Sequence, residues 1–202
     1  MAKPGGTETE IKLRAASAEA LATKLEAAGF RVRVERHFES NLVFDREGEL
    51  KREGKLLRVR TARGDTVVTY KGPSVPGRHR SRLEIEYRVS DFDRCVELFE
   101  HLGYRRAFRY DKWRAEWAET ANEGVAALDE TPIGVFLELE GPPEWIDRTA
   151  VSLGYGDHDY ITASYARLYV EDCQRRGVEV ADMTFEDGTG IGVVLEPPKG
   201  GA

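Results

Sequence analysis

The segment Arg82-Leu83-Glu84-Ile85-Glu86-Tyr87-Arg88 alternates charge with apolar bulk at every step. A β-strand has a side-chain period of two, so this stretch reads as a strand with one face of Arg and Glu and another of Leu, Ile and Tyr. The same alternation occurs in Glu8-Thr9-Glu10-Ile11-Lys12, Arg58-Val59-Arg60, Lys112-Trp113-Arg114-Ala115-Glu116 and Glu138-Leu139-Glu140. A single strand of this kind is an ordinary surface strand. Five of them, each with same-face charges at i and i+2, predict that the charged faces are shared. Closing them into a barrel with the charges inward sets carboxylates beside guanidinium and ammonium groups. Carboxylates hold hard divalent cations, and Arg and Lys hold phosphate oxygens, so such a lumen suits a metal-bound polyphosphate.

Working outward from these strands, Thr7–Leu13 leads into a helix that starts near Ser17, carries Leu21, Leu25 and Ala28 on one face, and stops at Gly29. Strand character resumes over Arg31–Asp45, with a break expected at Glu39-Ser40-Asn41, and turns are expected at Arg46–Glu49 and Arg52–Gly54. Leu56–Thr61 and Thr66–Gly72 form a hairpin around Arg63-Gly64-Asp65, and Pro73–Arg80 is a flexible basic loop. After the central strand, Ser90 and Asp93 open a second helix with Phe92, Val96, Phe99 and Leu102 on its stripe and Gly103 at its end. Strands follow near Ala107–Trp117, Gly124–Asp129 and Val135–Glu140. A helix over Glu144–Leu153 has Pro143 in its first turn, and a fourth helix covers Thr162–Arg176.

The pattern predicts an α+β fold: an antiparallel β-barrel of eight or nine strands with a charged lumen, clad by helices. The apolar strand faces (Val59, Val68, Leu83, Ile85, Tyr87, Leu137, Leu139) are then outside, under the helix stripes. Burying so many charges is costly unless they pair, hydrate or bind ligand, which makes a wet, functional lumen the natural reading. Residues 1–176 form this domain. Residues 177–202 read as a Gly-rich, acidic tail in which Ile191–Leu195 is a candidate late strand.

The chain has 202 residues, a net charge of −6 and 33% charged residues. An acidic balance argues against nucleic acid as a partner. Cys95 and Cys173 lie far apart without metal-ligand spacing, as in a reduced cytosolic protein. No apolar stretch reaches membrane-spanning length and Met1–Glu10 lacks a signal-peptide core, so a cytoplasmic protein without a membrane partner is expected. Exposed edges at a barrel seam would suit a homodimer.

These segments resemble a known family in their order. Glu8-x-Glu10-x-Lys12 is similar to the ExExK signature of the CYTH superfamily, the triphosphate tunnel metalloenzymes. Leu57-Arg58-Val59-Arg60 resembles its first basic strand, Thr69-Tyr70-Lys71-Gly72-Pro73 its lysine-glycine-proline turn, and Arg82–Glu86 its central acidic strand. Lys112-Trp113-Arg114 resembles the second basic strand. Leu128-Asp129-Glu130 and Gly134-x-Phe136-x-Glu138-x-Glu140 resemble the late acidic elements, and Ser164-Tyr165 the closing pair, although Ala166 stands where the family has Arg. The resemblance spans Thr7–Val170 and implies a tunnel of antiparallel strands that binds triphosphate with Mg²⁺ or Mn²⁺. The family includes class IV adenylate cyclases, thiamine triphosphatases and inorganic triphosphatases.

Within that frame Glu8, Glu10, Glu138 and Glu140 are the metal candidates, with Asp129 adding a direct or outer contact, since Mg²⁺ and Mn²⁺ prefer carboxylate and water oxygens. A metal-free salt-bridge ladder is the alternative for these residues. Lys12, Arg58, Arg60, Lys71, Lys112 and Arg114, with Arg82, form the triphosphate cradle, and they would stabilise charge on the phosphoryl oxygens as they transfer. Glu84 and Glu86 are assigned a supporting catalytic role. Arg88 is placed outside the set, Trp113 and Trp117 on the packed side, and His37, His79, His101 and His158 at the surface. The Tyr70–Pro73 turn, with Gly103-Tyr104 and Ala107-Phe108 before Lys112, is most similar to the class IV cyclase branch, implying conversion of ATP to cyclic AMP and pyrophosphate. Hydrolysis of tripolyphosphate or thiamine triphosphate is the alternative, favoured by the doubled Glu138/Glu140 pair. A non-catalytic nucleotide or polyphosphate sensor is the third reading.

Overall fold

A computed structural model of the protein describes residues 6–185. Eight strands close into one antiparallel barrel in the order β1-β5-β4-β3-β2-β6-β7-β8. They are β1 (Gly6–Ala15), β2 (Arg31–Asp45), β3 (Leu56–Ala62), β4 (Asp65–Lys71), β5 (Arg80–Val89), β6 (Arg105–Ala118), β7 (Val125–Thr131) and β8 (Gly134–Glu140). Five helices accompany them among the described residues: α1 (Ala18–Ala27), α2 (Glu49–Arg52), α3 (Phe92–His101), α4 (Pro143–Ser152) and α5 (Tyr165–Arg176). None is long and apolar enough to cross a membrane.

Local chemistry sets the element ends. Ser17, Asp91 and Ser164 accept the first free backbone N–H groups of α1, α3 and α5 through their side chains. Arg63 and Gly64 both adopt positive φ, of 55° and 81°, which turns the β3–β4 hairpin with the twist of its strands. Gly124 answers to packing instead: a Cβ there would sit 2.5 Å from the Trp145 ring and 2.7 Å from the Glu140 carbonyl oxygen. Gly124→Ala is therefore expected to cost about 1–3 kcal/mol, seen as a lower urea midpoint at unchanged m-value.

The outward faces of β1, β6, β7 and β8 are covered by α1 and α4, with Ile11, Leu13, Trp117, Leu128, Leu137 and Leu139 packed against Leu21, Leu25, Trp145 and Ile146. A second outer cluster sets α3, through Cys95, Val96 and Phe99, against Phe44, Val59 and Val68. The third cluster differs, because it closes one end of the barrel. There Tyr165, Leu168, Tyr169 and Cys173 of α5 pack on Tyr110 and Phe136, with Phe108 and Val43 at the edge.

Several expectations change. β2 runs unbroken through Glu39-Ser40-Asn41 and absorbs its irregularity in register shifts near Val32–His37 and Val43–Phe44. A single helical turn, α2, lies between the two turns expected after β2, capped by the Asp45 carboxylate accepting from the N–H groups of Leu50 and Lys51. Asp91, rather than Ser90 or Asp93, caps α3, and Leu102 is exposed past its end. The outer stripe of β5 is not under a helix: Leu83, Ile85 and Tyr87 are 46%, 42% and 49% exposed. α3 follows β5 directly but docks over β2–β4, where Phe44, Val59 and Val68 offer the deeper apolar seat.

The Pro73–Arg80 loop is latched. His79 Nε2 lies 2.8 Å from Asp147 Oδ1, the Tyr160 hydroxyl donates to the same oxygen at 3.0 Å, and Arg78 pairs with Asp147 and Asp157. After α5 the chain returns along β6, where β7 no longer reaches. Met183 N–H donates to the Arg109 carbonyl, and Asp111 N–H donates to the Met183 carbonyl, both at 2.9 Å, with the Met183 side chain buried. The Ile191–Leu195 run lies outside the described residues.

Candidate functional site

Strand parity decides which residues meet. Ile11, Leu13, Leu137, Leu139, Val59 and Phe44 pack outward, so Glu8, Glu10, Lys12, Glu138, Glu140, Arg58, Arg60, Glu39 and Asn41 turn inward. The chain direction gives the lumen a polarity. Gly6, Ala62, Val89, Ala118, Val125 and Glu140 lie at one end, the mouth, and the aromatic cluster under α5 forms a floor at the other.

All the predicted cradle residues line this lumen, and most are buried. Arg114 makes two bonds of 2.7 Å to the carboxylate of Asp129 and a third of 3.0 Å to Glu138. Lys112 donates to Asp129 at 3.1 Å and lies 3.4 Å from Glu39. Lys12 bridges Glu10 and Glu138 at 3.2 and 3.1 Å. Lys71 is 2.5 Å from Glu8 and 3.2 Å from Glu84. Arg58 donates to Thr69, Glu86 and the Tyr110 hydroxyl, while Arg60 lies 3.6 Å from Glu86 and 3.8 Å from Glu39. Arg82 faces Glu8 and Glu10 at 3.8 and 3.7 Å. Arg88 projects away, 71% exposed and paired with Asp65.

The titration of these groups follows from that pairing. Burial alone would raise the Glu10 carboxyl, but Lys12, Lys71 and Arg82 hold it down at about 2. Burial likewise opposes the charge on Glu138, which Lys12, Arg114 and Lys112 keep well below the usual carboxylate range. Glu84 goes the other way, pushed up to about 8 by burial and by its hydrogen bond with Glu8. One of two adjacent carboxylates keeping a proton is the general response to like charges at close range.

Between the ordinary value of 4.5 and about 8, the folded protein binds more protons at Glu84 than the unfolded chain does. Stability is therefore lost as pH rises through that window. The ligand-free melting temperature is expected to fall from pH 5 to pH 8, and less steeply in Glu84→Gln. Equal slopes in the two proteins would refute this assignment.

Among the described residues, no three carboxylate, His or Cys side chains are gathered closely enough to hold an ion as they stand. The donor set nevertheless fits a hard cation. Glu8 and Glu10 on β1 lie beside Glu138 and Glu140 on β8, with Glu10 opposite Glu140 and Glu138 opposite Lys12. All offer oxygen, and Glu10 and Glu138 repel each other across the seam, a repulsion that a divalent ion relieves. Asp129 accepts from Arg114, Lys112 and the Tyr165 hydroxyl, and shares Arg114 with Glu138.

Residues the sequence left aside also reach the lumen. Glu39 and Asn41 do so because β2 does not break, Arg80 because β5 starts two residues earlier than expected, and Thr69 and Tyr110 through their hydroxyls on Glu86 and Arg58. His37 stands at the mouth, 3.4 Å from Glu39. Strand parity alone identifies Asn41 and Tyr110 once the strand limits are known.

The CYTH domain family matches residues 6–186. The chain belongs to the CYTH family. This CYTH protein is 28% identical, over 135 residues, to the Methanocaldococcus jannaschii protein named "Putative adenylate cyclase MJ0240", covering 66% of this chain and 75% of the relative. Its fold matches the solved structure titled a "putative adenylate cyclase" of Vibrio parahaemolyticus with a TM-score of 0.71 at 21% identity, over 82% of this chain and 98% of the other. The PH1012 protein of Pyrococcus horikoshii OT3 matches with a TM-score of 0.67 at 25% identity, over 78% and 96%. The barrel, its lumen and α5 all fall within the residues the family covers.

Proposed function

We propose that this CYTH protein is a divalent-cation-dependent enzyme acting on a nucleoside or organic triphosphate, and that it cleaves the terminal phosphate with water. The observation that supports a triphosphate is the lumen: Lys12, Arg58, Lys71, Arg82, Lys112 and Arg114, all buried, converge from five strands. Their carboxylate partners are what a polyanion displaces. Arg offers planar two-point contacts to phosphate oxygens, Lys a movable charge, and together they stabilise charge spread over a transferring phosphoryl group. Mg²⁺ or Mn²⁺, held by Glu8, Glu10, Glu138 and Glu140, would supply charge neutralisation at the phosphate oxygens.

The polarity of the lumen favours hydrolysis. With α5 over the floor, a triphosphate entering from the mouth carries its terminal phosphate deepest, among the most buried cations. The aromatic side chains that enter the lumen, Tyr110, Phe136 and Tyr165, lie at that closed end and are packed. A cyclase needs its base and ribose held where the mouth carries Glu86 and His37. The second reading, cyclisation of ATP, is supported by the likeness of the Tyr70–Pro73 turn, Gly103-Tyr104 and Ala107-Phe108 to the class IV cyclase branch and by the name of the archaeal relative.

The deciding experiment is product analysis with ATP, thiamine triphosphate and tripolyphosphate, each with Mg²⁺ or Mn²⁺. Orthophosphate without cyclic nucleotide supports hydrolysis, and cyclic AMP with pyrophosphate overturns it in favour of the cyclase. Binding without turnover of any of the three identifies a sensor.

A further inference from the structure

Asn41 carries a feature that neither the cradle nor the carboxylates explain. It is 0% exposed, and neither its Oδ1 nor its Nδ2 has a hydrogen-bond partner in the protein. Among the described residues it is the buried side chain whose donor and acceptor are both unsatisfied. Leaving a buried amide unpaired costs stability, and such groups are rare in native proteins unless a ligand or water meets them. Leu42 and Phe44 pack outward under α3, so the Asn41 amide faces the lumen. It sits in register with Arg60 on β3 and Tyr110 on β6, one step above Val43 at the floor and one step below Glu39. Tyr110 is itself held by Arg58 at 3.1 Å. The amide is therefore an unpaired donor and acceptor inside the cradle, level with Tyr110.

We propose that Asn41 holds and orients the water that attacks the terminal phosphorus. This rests on the triphosphate-hydrolysis reading. Asn41 Oδ1 accepts a hydrogen bond from the water, and Nδ2 donates to a non-bridging oxygen of the terminal phosphate, which sets the water in line. The water oxygen forms a bond to phosphorus while the bridging P–O bond breaks and its electron pair leaves with the diphosphate. One proton of the water passes to a non-bridging oxygen of the transferred group, so the product is protonated orthophosphate. An uncharged amide suits this role because it positions the water without adding another charge to a lumen of ion pairs. Positioning a nucleophile is worth orders of magnitude in rate when the reacting atoms are otherwise held.

The test is Asn41→Leu, close in size and without polar atoms. Orthophosphate release from tripolyphosphate, with Mg²⁺ or Mn²⁺, is compared with wild type, beside the thermal shift each protein shows on adding tripolyphosphate. Expected is a fall in kcat of about 100-fold, the size seen when a single aligned polar group is removed from a reacting centre, with KM within about twofold and the thermal shift retained. A ligand-free melting temperature equal to or above wild type is also expected, because an unsatisfied buried amide is gone. Unchanged kcat in Asn41→Leu overturns the assignment while leaving the triphosphatase reading intact. A raised KM with unchanged kcat makes Asn41 a phosphate-binding group instead. A wild-type protein that releases no orthophosphate overturns the hydrolase reading and this role together.

Discussion

Replacing both Glu138 and Glu140 with Gln is expected to lower turnover of the best triphosphate substrate by about 10³-fold, because stabilisation by a bound divalent ion is worth several kcal/mol in the transition state. The same variant is expected to bind tripolyphosphate in EDTA at least as tightly as wild type. Glu138 neutralises Lys12 and Arg114 at 3.1 and 3.0 Å, so its amide leaves two cations more available to phosphate. The two readouts, followed by orthophosphate release and by calorimetry, move in opposite directions only if the carboxylates serve a metal. If the pairs were merely a salt-bridge ladder, the dependence of turnover on added Mg²⁺ or Mn²⁺ would be the same in both proteins. Persistence of Mn²⁺-dependent turnover in the double variant would remove Glu138 and Glu140 from the metal site.

Asp129→Ala is expected to be the most destabilising single change in the lumen. Asp129 is fully buried and accepts from Arg114 twice, from Lys112 and from the Tyr165 hydroxyl. Removing one partner of a buried ion pair strands the other charges, at a cost of about 3–5 kcal/mol, or roughly 10 °C in melting temperature for a chain of this size. Tyr165→Phe removes only a neutral donor and is expected to cost about 1 kcal/mol. Tripolyphosphate should raise the melting temperature of Asp129→Ala by more than that of wild type, since the anion replaces the missing charge beside Lys112 and Arg114. A loss no larger than that of Tyr165→Phe would show that Lys112 and Arg114 find other partners, such as Glu39 and Glu138, at little cost.

The barrel was legible because period-two alternation is a local property. Glu84 and Glu86 on one face, with Leu83 and Ile85 on the other, follow from the pleat alone, and so do the five charged segments that meet in the lumen. Helix ends were legible to within a few residues for the same reason: Ser17, Gly29, Gly103 and Pro143 act on neighbouring backbone. β2 was harder to read. Glu39-Ser40-Asn41 has the composition of a turn, but pairing on both sides, with β3 and β6, holds it in the sheet. The loop ending in His79 is locally basic and Gly-punctuated, yet an aspartate 68 residues away on α4 fixes it. The β5 stripe has the composition of a covered face, but the sequence does not say which strands a helix prefers to cover.

The amino-acid sequence by itself determined which side chains share a strand face, and hence that carboxylates and phosphate-binding cations would line one lumen, because strand periodicity depends only on the backbone. Tertiary structure decided which charges pair, that α5 closes one end, that Glu84 keeps a proton beside Glu8, and that the Asn41 amide stands unpaired within the cradle. Those properties depend on distances between strands remote in sequence and on exclusion of water, which arise only when the barrel closes.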